Sequence, residues 1–345
     1  MIRILVVDDS LTARKWVQEL IDDHPDMEVA GEALDGKQAL AMTKQLQPDV
    51  IVIDMCMTLV NGVEATRQIM ASYPTPIVVL SSAEHRPASM EVIDALRAGA
   101  VEAVEKPGAS ADRREWGKQF LETLHIVSRV RPIRHISASL PIRRLRRVDA
   151  KPVELVAIGA ATGGPATVAS ILAALPPLPV PVLVVLHFPD ALFELFVDWI
   201  SSESRMPVVP ACDGASLRSL VGMVCLALPG QHLLVSKGHL AMTDGPAQHF
   251  CKPAVDVLFK SVAKCVRDRA LAVLLTGMGR DGAEGMLRIR EAGGRTIAQD
   301  EATSVVFGMP KAAIELDAAD EVLPDREIAD AIVHVCGQAK REVPR

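Results

Sequence analysis

Four apolar runs in the first third of the chain end on residues suited to phosphoryl transfer. Asp8 and Asp9 follow Ile2 to Val7, Asp54 closes Asp49 to Asp54, Ser81 closes Pro76 to Ser81, and Lys106-Pro107 follows Val101 to Glu105. Carboxylates gathered at one edge repel one another unless a cation sits among them. Mg²⁺ suits an oxygen-lined site that keeps several waters. A lysine and a hydroxyl beside it match a transferring phosphoryl group, whose equatorial oxygens need positive charge and hydrogen-bond donors. Asp54 is then the nucleophile, with Asp8 and Asp9 beside it on the metal. Singly, each acid is as well explained as a helix N-cap; the five residues together favour chemistry.

A second set lies in the C-terminal half. Ile158-Gly159-Ala160-Ala161-Thr162-Gly163-Gly164-Pro165 reads as a strand, a tight glycine loop and a helix. One reading is a phosphate-binding loop for a nucleotide, although the spacing is neither G-x-G-x-x-G nor G-x-x-x-x-G-K-[ST]. The other is a nucleophile elbow, G-x-S-x-G, with Ala161 where the serine belongs. His187 closes VLVVLHFPD and Asp281 lies in TGMGRDGAEG. Alone, a histidine after an apolar run is ordinarily a satisfied buried imidazole. Together, three strand ends bring a small residue, a His and an Asp to one sheet edge, as Ser-His-Asp catalysis requires.

The elements that position these residues alternate throughout. From 1 to about 107, Val- and Ile-rich runs alternate with amphipathic stretches starting near Leu11, Gly36, Asn61 and Ala88, and another spans Asp112 to Val130. Five βα units predict an open parallel sheet with helices on both faces and a site at the carboxyl ends of the strands. Alternation resumes at Val153, with strands predicted at 153–159, 180–186, 206–210, 222–227, 271–276 and 295–299. Helices are predicted from Gly164, Ala191, Pro253, Gly282, Met309 and after Pro324. PGQHLLVSKGHLAMTD, 229–244, predicts a hairpin turned at Lys237-Gly238. The fold class is α/β: two doubly wound domains with largely parallel sheets.

The chain has 345 residues, 49% of them hydrophobic and 23% charged, which fits two globular domains and excludes a wholly disordered or collagen-like chain. Aromatic content of 3% and a net charge of −6 argue against nucleic-acid binding. Between them, 129–151 carries seven Arg and one Lys against one Asp, +7 in all, leaving −13 elsewhere. Such a Pro- and Ser-containing basic stretch reads as an exposed linker, or as a contact for an anionic surface or acidic partner. The opening MIRILVVDDS reaches two carboxylates before a signal or membrane segment could form, predicting a soluble cytoplasmic protein. Six cysteines (56, 212, 225, 251, 265, 336) show no C-x-x-C pair and are expected to be buried free thiols.

VVDDS, the D-x-x-M that begins at Asp54 with Asn61-Gly62 behind it, LSSA and EKP resemble the receiver domain of bacterial response regulators, over about 1–125. The resemblance implies a flavodoxin-like (βα)5 fold and phosphorylation of Asp54 by a chemotaxis histidine kinase. It further implies Mg²⁺ on Asp8, Asp9, Asp54 and the Cys56 carbonyl, and a phosphoryl group met by Ser81 and Lys106. Thr58 stands where a Pro usually follows the Met. Ala103 stands at the aromatic switch position.

From about 153 to 340, IGAATGGP, LVVLHFP, DVLF, LLTGMGRDGAEGM and IAQDEATSVVFGMP resemble the chemotaxis protein-glutamate methylesterases. The implied organisation is a receiver at 1–125, a basic linker at 126–151 and an esterase domain at 152–345. The implied reaction is hydrolysis of glutamyl methyl esters, and deamidation of glutamines, on the cytoplasmic part of methylated chemoreceptors, without membrane insertion. In that family the unphosphorylated receiver blocks the cleft. His187 would be the general base, Asp281 its orienting carboxylate and the backbone around Met278 part of the oxyanion hole. The nucleophile position falls on Ala161, with Thr162 the neighbouring hydroxyl, and Lys252-Pro253-Ala254 replaces the usual Arg-Pro-Ser. Loss of a serine nucleophile costs about 10⁶ in kcat in subtilisin. The chain is therefore expected to be strongly impaired as an esterase, or to work as a pseudoenzyme by binding receptor or draining phosphoryl groups.

Overall fold

The computed structural model describes residues 1–55, 57, 62–81, 86–107, 112–130 and 152–337. The Cys56 carbonyl, Thr58 and most of the basic segment lie outside the described residues. The chain divides into two compact units, Met1–His135 and Ile136–Arg345. Among the described residues no helix is long and apolar enough to cross a membrane.

The first unit runs β1 (Ile2–Val7), α1 (Leu11–Asp22), β2 (Met27–Ala33), α2 (Gly36–Leu46), β3 (Val50–Asp54), α3 (Gly62–Ser72), β4 (Ile77–Ser81), α4 (Arg86–Arg97), β5 (Glu102–Glu105) and α5 (Arg113–Val127). Its parallel sheet has the order β2-β1-β3-β4-β5, as five right-handed βα units produce. β3 and β4 are buried at every residue, because helices cover both faces. The chain reverses direction across the sheet between β1 and β3, and there the ends carrying Asp8 and Asp54 lie side by side. Ser10 and Asp35 are the actual N-caps of α1 and α2, which leaves Asp8 for other partners.

The second unit runs β6 (Leu155–Ala160), α6 (Gly164–Ala174), β7 (Val182–Leu186), α7 (Phe193–Glu203), β8 (Val208–Pro210), β9 (Val224–Leu226), β10 (His232–Ser236), β11 (His239–Thr243), α8 (Val255–Cys265), β12 (Ala270–Leu274), α9 (Ala283–Glu291), β13 (Arg295–Gln299), α10 (Met309–Glu315), β14 (Glu321–Leu323) and α11 (Asp325–Gly337). Its seven-stranded parallel sheet has the order β14-β13-β12-β6-β7-β9-β8, so the reversal falls between β6 and β12. β10 and β11 form the antiparallel hairpin, turned at Lys237 and Gly238 with φ of 49° and 79°. The left-handed pair is what a two-residue turn matched to strand twist demands.

Two expectations shift, and one strand, β14, is additional to those predicted. The strand predicted to 276 ends at Leu274, because the Thr276 amide donates to the Gln299 side chain, 2.7 Å away, instead of to a neighbouring strand. A 3₁₀ turn, Asp190–Leu192, precedes the helix predicted from Ala191. The short β14 carries too few residues to show a period.

Candidate functional site

In the first unit, Lys106 Nζ stands 3.2 Å from Asp8 Oδ2 and 3.1 Å from Asp54 Oδ1. Both acids are buried and Asp9 is exposed. Burial works against the lysine's charge, but the Asp54 and Asp8 carboxylates outweigh it and raise its pKa. Asp8 is fixed from behind: its Oδ1 accepts from Ser10 N at 2.8 Å, and its carbonyl accepts from the buried Arg14, itself paired with Glu32. Ser81 is buried at the end of β4, and its carbonyl accepts from Lys106 N. Two buried carboxylates beside one ammonium keep net negative charge on an all-oxygen donor set, and such a set fits Mg²⁺. Ala103 is buried in β5 and gives no ring to rotate.

In the second unit, Ala161 sits at the tip of β6. Its N–H donates to Thr276 O at 3.0 Å and its carbonyl accepts from Gly164 N at 2.6 Å, so two of the loop's amides are spent internally. A nucleotide-binding role loses those two donors. Gly163 holds a φ of 73°, and a Cβ there would lie 2.4 Å from Val305 Cβ. Gly277, from the TGMG stretch, presses on the elbow: a Cβ there would lie 2.7 Å from Ala161 Cβ and 2.3 Å from Met309 Sδ. Among the described residues, none accepts from the backbone N–H of Thr162 or Met278. Those amides are the donors an oxyanion would need beside position 161.

His187 follows β7, and its N–H donates to Ala160 O at 3.0 Å, which ties it to the elbow. Both ring nitrogens have partners: Nε2 is 3.0 Å from Asp281 Oδ2, and Nδ1 is 3.4 Å from Cys251 Sγ. Burial opposes its charge, but the hydrogen bonds to Asp281 and Cys251, with their charges, raise its pKa to about 9. Asp281, 2% exposed, also accepts from Val255 N at 2.6 Å and Asp256 N at 2.9 Å, the first amides of α8. Burial pushes its carboxyl up, yet the bonds from His187 and those amides win and hold it below the usual range. The imidazole and its carboxylate are thus a fixed, charged pair.

Sequence reasoning did not single out Cys251. It sits in QHFCKPAVD with no periodic signal and meets a histidine 64 residues away. The expectation of uniformly buried thiols also needs correction. Cys225 and Cys336 are buried, and burial pushes them up to about 12 and about 11, whereas Cys212 and Cys265 are exposed and Cys251 is half-buried. The buried histidine expected as the bland case is His232 rather than His187: its Nδ1 accepts from Ala254 N and its Nε2 donates to Pro246 O.

The sequence matches the family model for the CheB methylesterase over 156–332 and that for the response regulator receiver domain over 4–115. It is 42% identical over 332 residues to protein-glutamate methylesterase/protein-glutamine glutaminase 2 of Anaeromyxobacter dehalogenans, covering 96% of each chain. A relative in Symbiobacterium thermophilum is 40% identical, with 98% of each chain covered. The crystal structure of the Thermotoga maritima CheB methylesterase catalytic domain superposes with a TM-score of 0.51 at 34% identity, covering 54% of this chain and all of that one. With a parallel sheet of receiver topology ahead of a second sheet whose reversal point carries the elbow, the histidine and the aspartate, the chain belongs to the CheB methylesterase family of chemotaxis response regulators.

Proposed function

We propose that this chain is a phosphorylation-controlled regulator of chemoreceptor methylation whose seryl route of ester hydrolysis is closed at Ala161. The observation that carries this reading is the intact surround of an absent hydroxyl. Gly277 packs on the Ala161 methyl, which cannot attack a carbonyl, while the His187–Asp281 pair and the Thr162 and Met278 amides lie at the ends of the same and neighbouring strands. Loss of that oxygen lowers turnover by this route by about 10⁶. The cleft would still receive glutamyl methyl ester or glutamine side chains of a receptor's cytoplasmic helices.

In the receiver, Asp54 would accept the phosphoryl group from a histidine kinase. Ser81 and Lys106 would donate to its oxygens. Asp8, Asp9, Asp54 and the Cys56 carbonyl would hold Mg²⁺, which supplies positive charge to the transferring group.

The test is methanol release from methylated receptor by the chain as it stands and by Ala161→Ser, each with and without a small phosphodonor. Activity confined to Ala161→Ser and raised by the donor supports the reading. Inertness of both would leave receptor binding or phosphoryl draining as the protein's work, a second reading that the missing hydroxyl itself favours. A normal rate from the unaltered chain would overturn the closed seryl route.

A further inference from the structure

We infer that Cys251 is the nucleophile of an acyl-transfer centre built on His187 and Asp281, taking carboxylic esters with a compact apolar acyl or leaving group. The inference rests on the reading of His187 and Asp281 as the working base and carboxylate of this cleft, and adds a nucleophile to it.

Three observations converge. The first is connectivity. Cys251 Sγ, His187 Nδ1, His187 Nε2 and Asp281 Oδ2 form one chain with contacts of 3.4 and 3.0 Å, the order thiol, imidazole, carboxylate that activates a nucleophile. With Nε2–H donating to Asp281, Nδ1 is the nitrogen that takes the thiol proton. A metal ion taking the sulfur, one ring nitrogen and a carboxylate oxygen of the same three residues would displace one of these two contacts.

The second is electrostatic. At neutral pH an imidazole with a pKa of about 9 is protonated and is a poor base toward a serine hydroxyl. The same imidazolium stabilises a thiolate, which is the reactive form of cysteine.

The third is the setting. Cys251 lines a cavity of about 180 Å³ with His187, Phe188, Phe193, Pro229 and Phe250. It is held there by a tight turn in which Gln248 N donates to Cys251 O at 3.1 Å and Cys251 N donates to Gln248 O at 2.8 Å. His249 and Phe250 between them have φ of 51° and 64°, left-handed values that cost energy for residues with a Cβ and gather at functional sites. The His249 carbonyl, 3.3 Å from Sγ, accepts the S–H when Nδ1 does not take it, and His249 is itself anchored on Asp256 at 3.1 Å.

The chemistry balances. The Cys251 thiolate attacks the ester carbonyl carbon, the C–O bond to the alcohol breaks, and the His187 imidazolium gives its proton to the departing alkoxide. This leaves an S-acyl thioester and a neutral imidazole. Water then attacks the thioester while His187 takes one of its protons. The C–S bond breaks, and the carboxylic acid leaves beside a restored thiolate and imidazolium.

The experiment uses the full chain with p-nitrophenyl acetate, following nitrophenolate release and locating the acetyl group by peptide mass spectrometry. One acetyl group per chain on Cys251, lost in Cys251→Ser and formed 10²–10³-fold more slowly in His187→Gln, is expected. Urea unfolding of each variant, compared with the unaltered chain, reports that the second unit is folded. Acetylation of the exposed Cys212 or Cys265 in place of Cys251 overturns the inference. So does nitrophenolate release by folded Cys251→Ser at the rate of the unaltered chain. Methyl-ester hydrolysis by the double variant Ala161→Ser, Cys251→Ser tests the seryl reading separately. If that variant is inert while Cys251 is acetylated in the parent, the proposed function fails and the thiol centre stands.

Discussion

Asp281 and Asp256 cap each other's helices. Asp281 accepts from the Val255 and Asp256 amides that open α8, while Asp256 Oδ1 accepts from Gly285 N in the first turn of α9, 2.7 Å away. Neither helix has a side-chain cap from its own flanking residue, Ala254 or Gly282, so the two acids supply what the local sequence omits. The carboxylate that orients His187 is therefore fixed by the meeting of two helix ends, whose dipoles favour its charge.

Asp281→Asn should weaken both roles. The two α8 amides each donate to one carboxylate oxygen, and an amide side chain turns an NH₂ toward one of them. The variant is expected to lose about 2–4 kcal/mol in urea unfolding, because a buried donor is left facing a donor and the ion pair with His187 is broken.

Gly277→Ala should close the elbow. The new methyl would stand inside van der Waals distance of both Ala161 and Met309, and overpacking of this kind costs about 1–3 kcal/mol. Placed in the Ala161→Ser background, it is expected to abolish methanol release regained by the serine while leaving Asp54 phosphorylation intact.

Lys106→Met should leave Asp8 and Asp54 as buried carboxylates without their shared ammonium. Transfer of label from a small phosphodonor is expected to fall at least tenfold, and to vanish in Asp54→Asn. Withdrawal of divalent metal by chelation should suppress transfer to the unaltered chain. Label persisting in Asp54→Asn would refute the assignment of that residue.

The pH dependence has a definite sign. The fold holds His187 above its ordinary 6.5, at about 9, so it favours the protonated ring. That contribution to stability is complete below about 6.5 and disappears as the pH rises through about 9. Urea midpoints should fall across this window for the unaltered chain and stay flat for His187→Gln. For Ala161→Ser, methanol release should climb with pH over the same window, because only the neutral ring can take a serine proton. Replacing Cys251 removes a hydrogen bond that helps raise the ring's pKa and should move that climb to lower pH.

Much of this was readable in advance where geometry follows from period. β1 runs Ile2–Val7 as expected, and the hairpin turns at Lys237-Gly238. The meeting of Asp8, Asp54 and Lys106 follows from strand ends in a parallel sheet, which must converge on one edge. What escaped depends on contacts that no local pattern encodes. Asp281 capping a helix 26 residues earlier, Gly277 pressed on Ala161, and Cys251 against His187 are all settled by how loops close over the sheet. Gln299, fully buried, ends β12 by taking the Thr276 amide, a long-range competition invisible in the apolar run itself.

The 3.4 Å approach of Cys251 to His187 also makes the cleft vulnerable to covalent drugs. Any electrophile small enough for the aromatic cavity and captured by that sulfur would leave its adduct against Nδ1. The His187 ring would then be blocked. An inhibitor of this kind would need no hydroxyl at position 161. It would silence a serine-restored enzyme as fully as the native chain, and relatives without a thiol at this position would be spared.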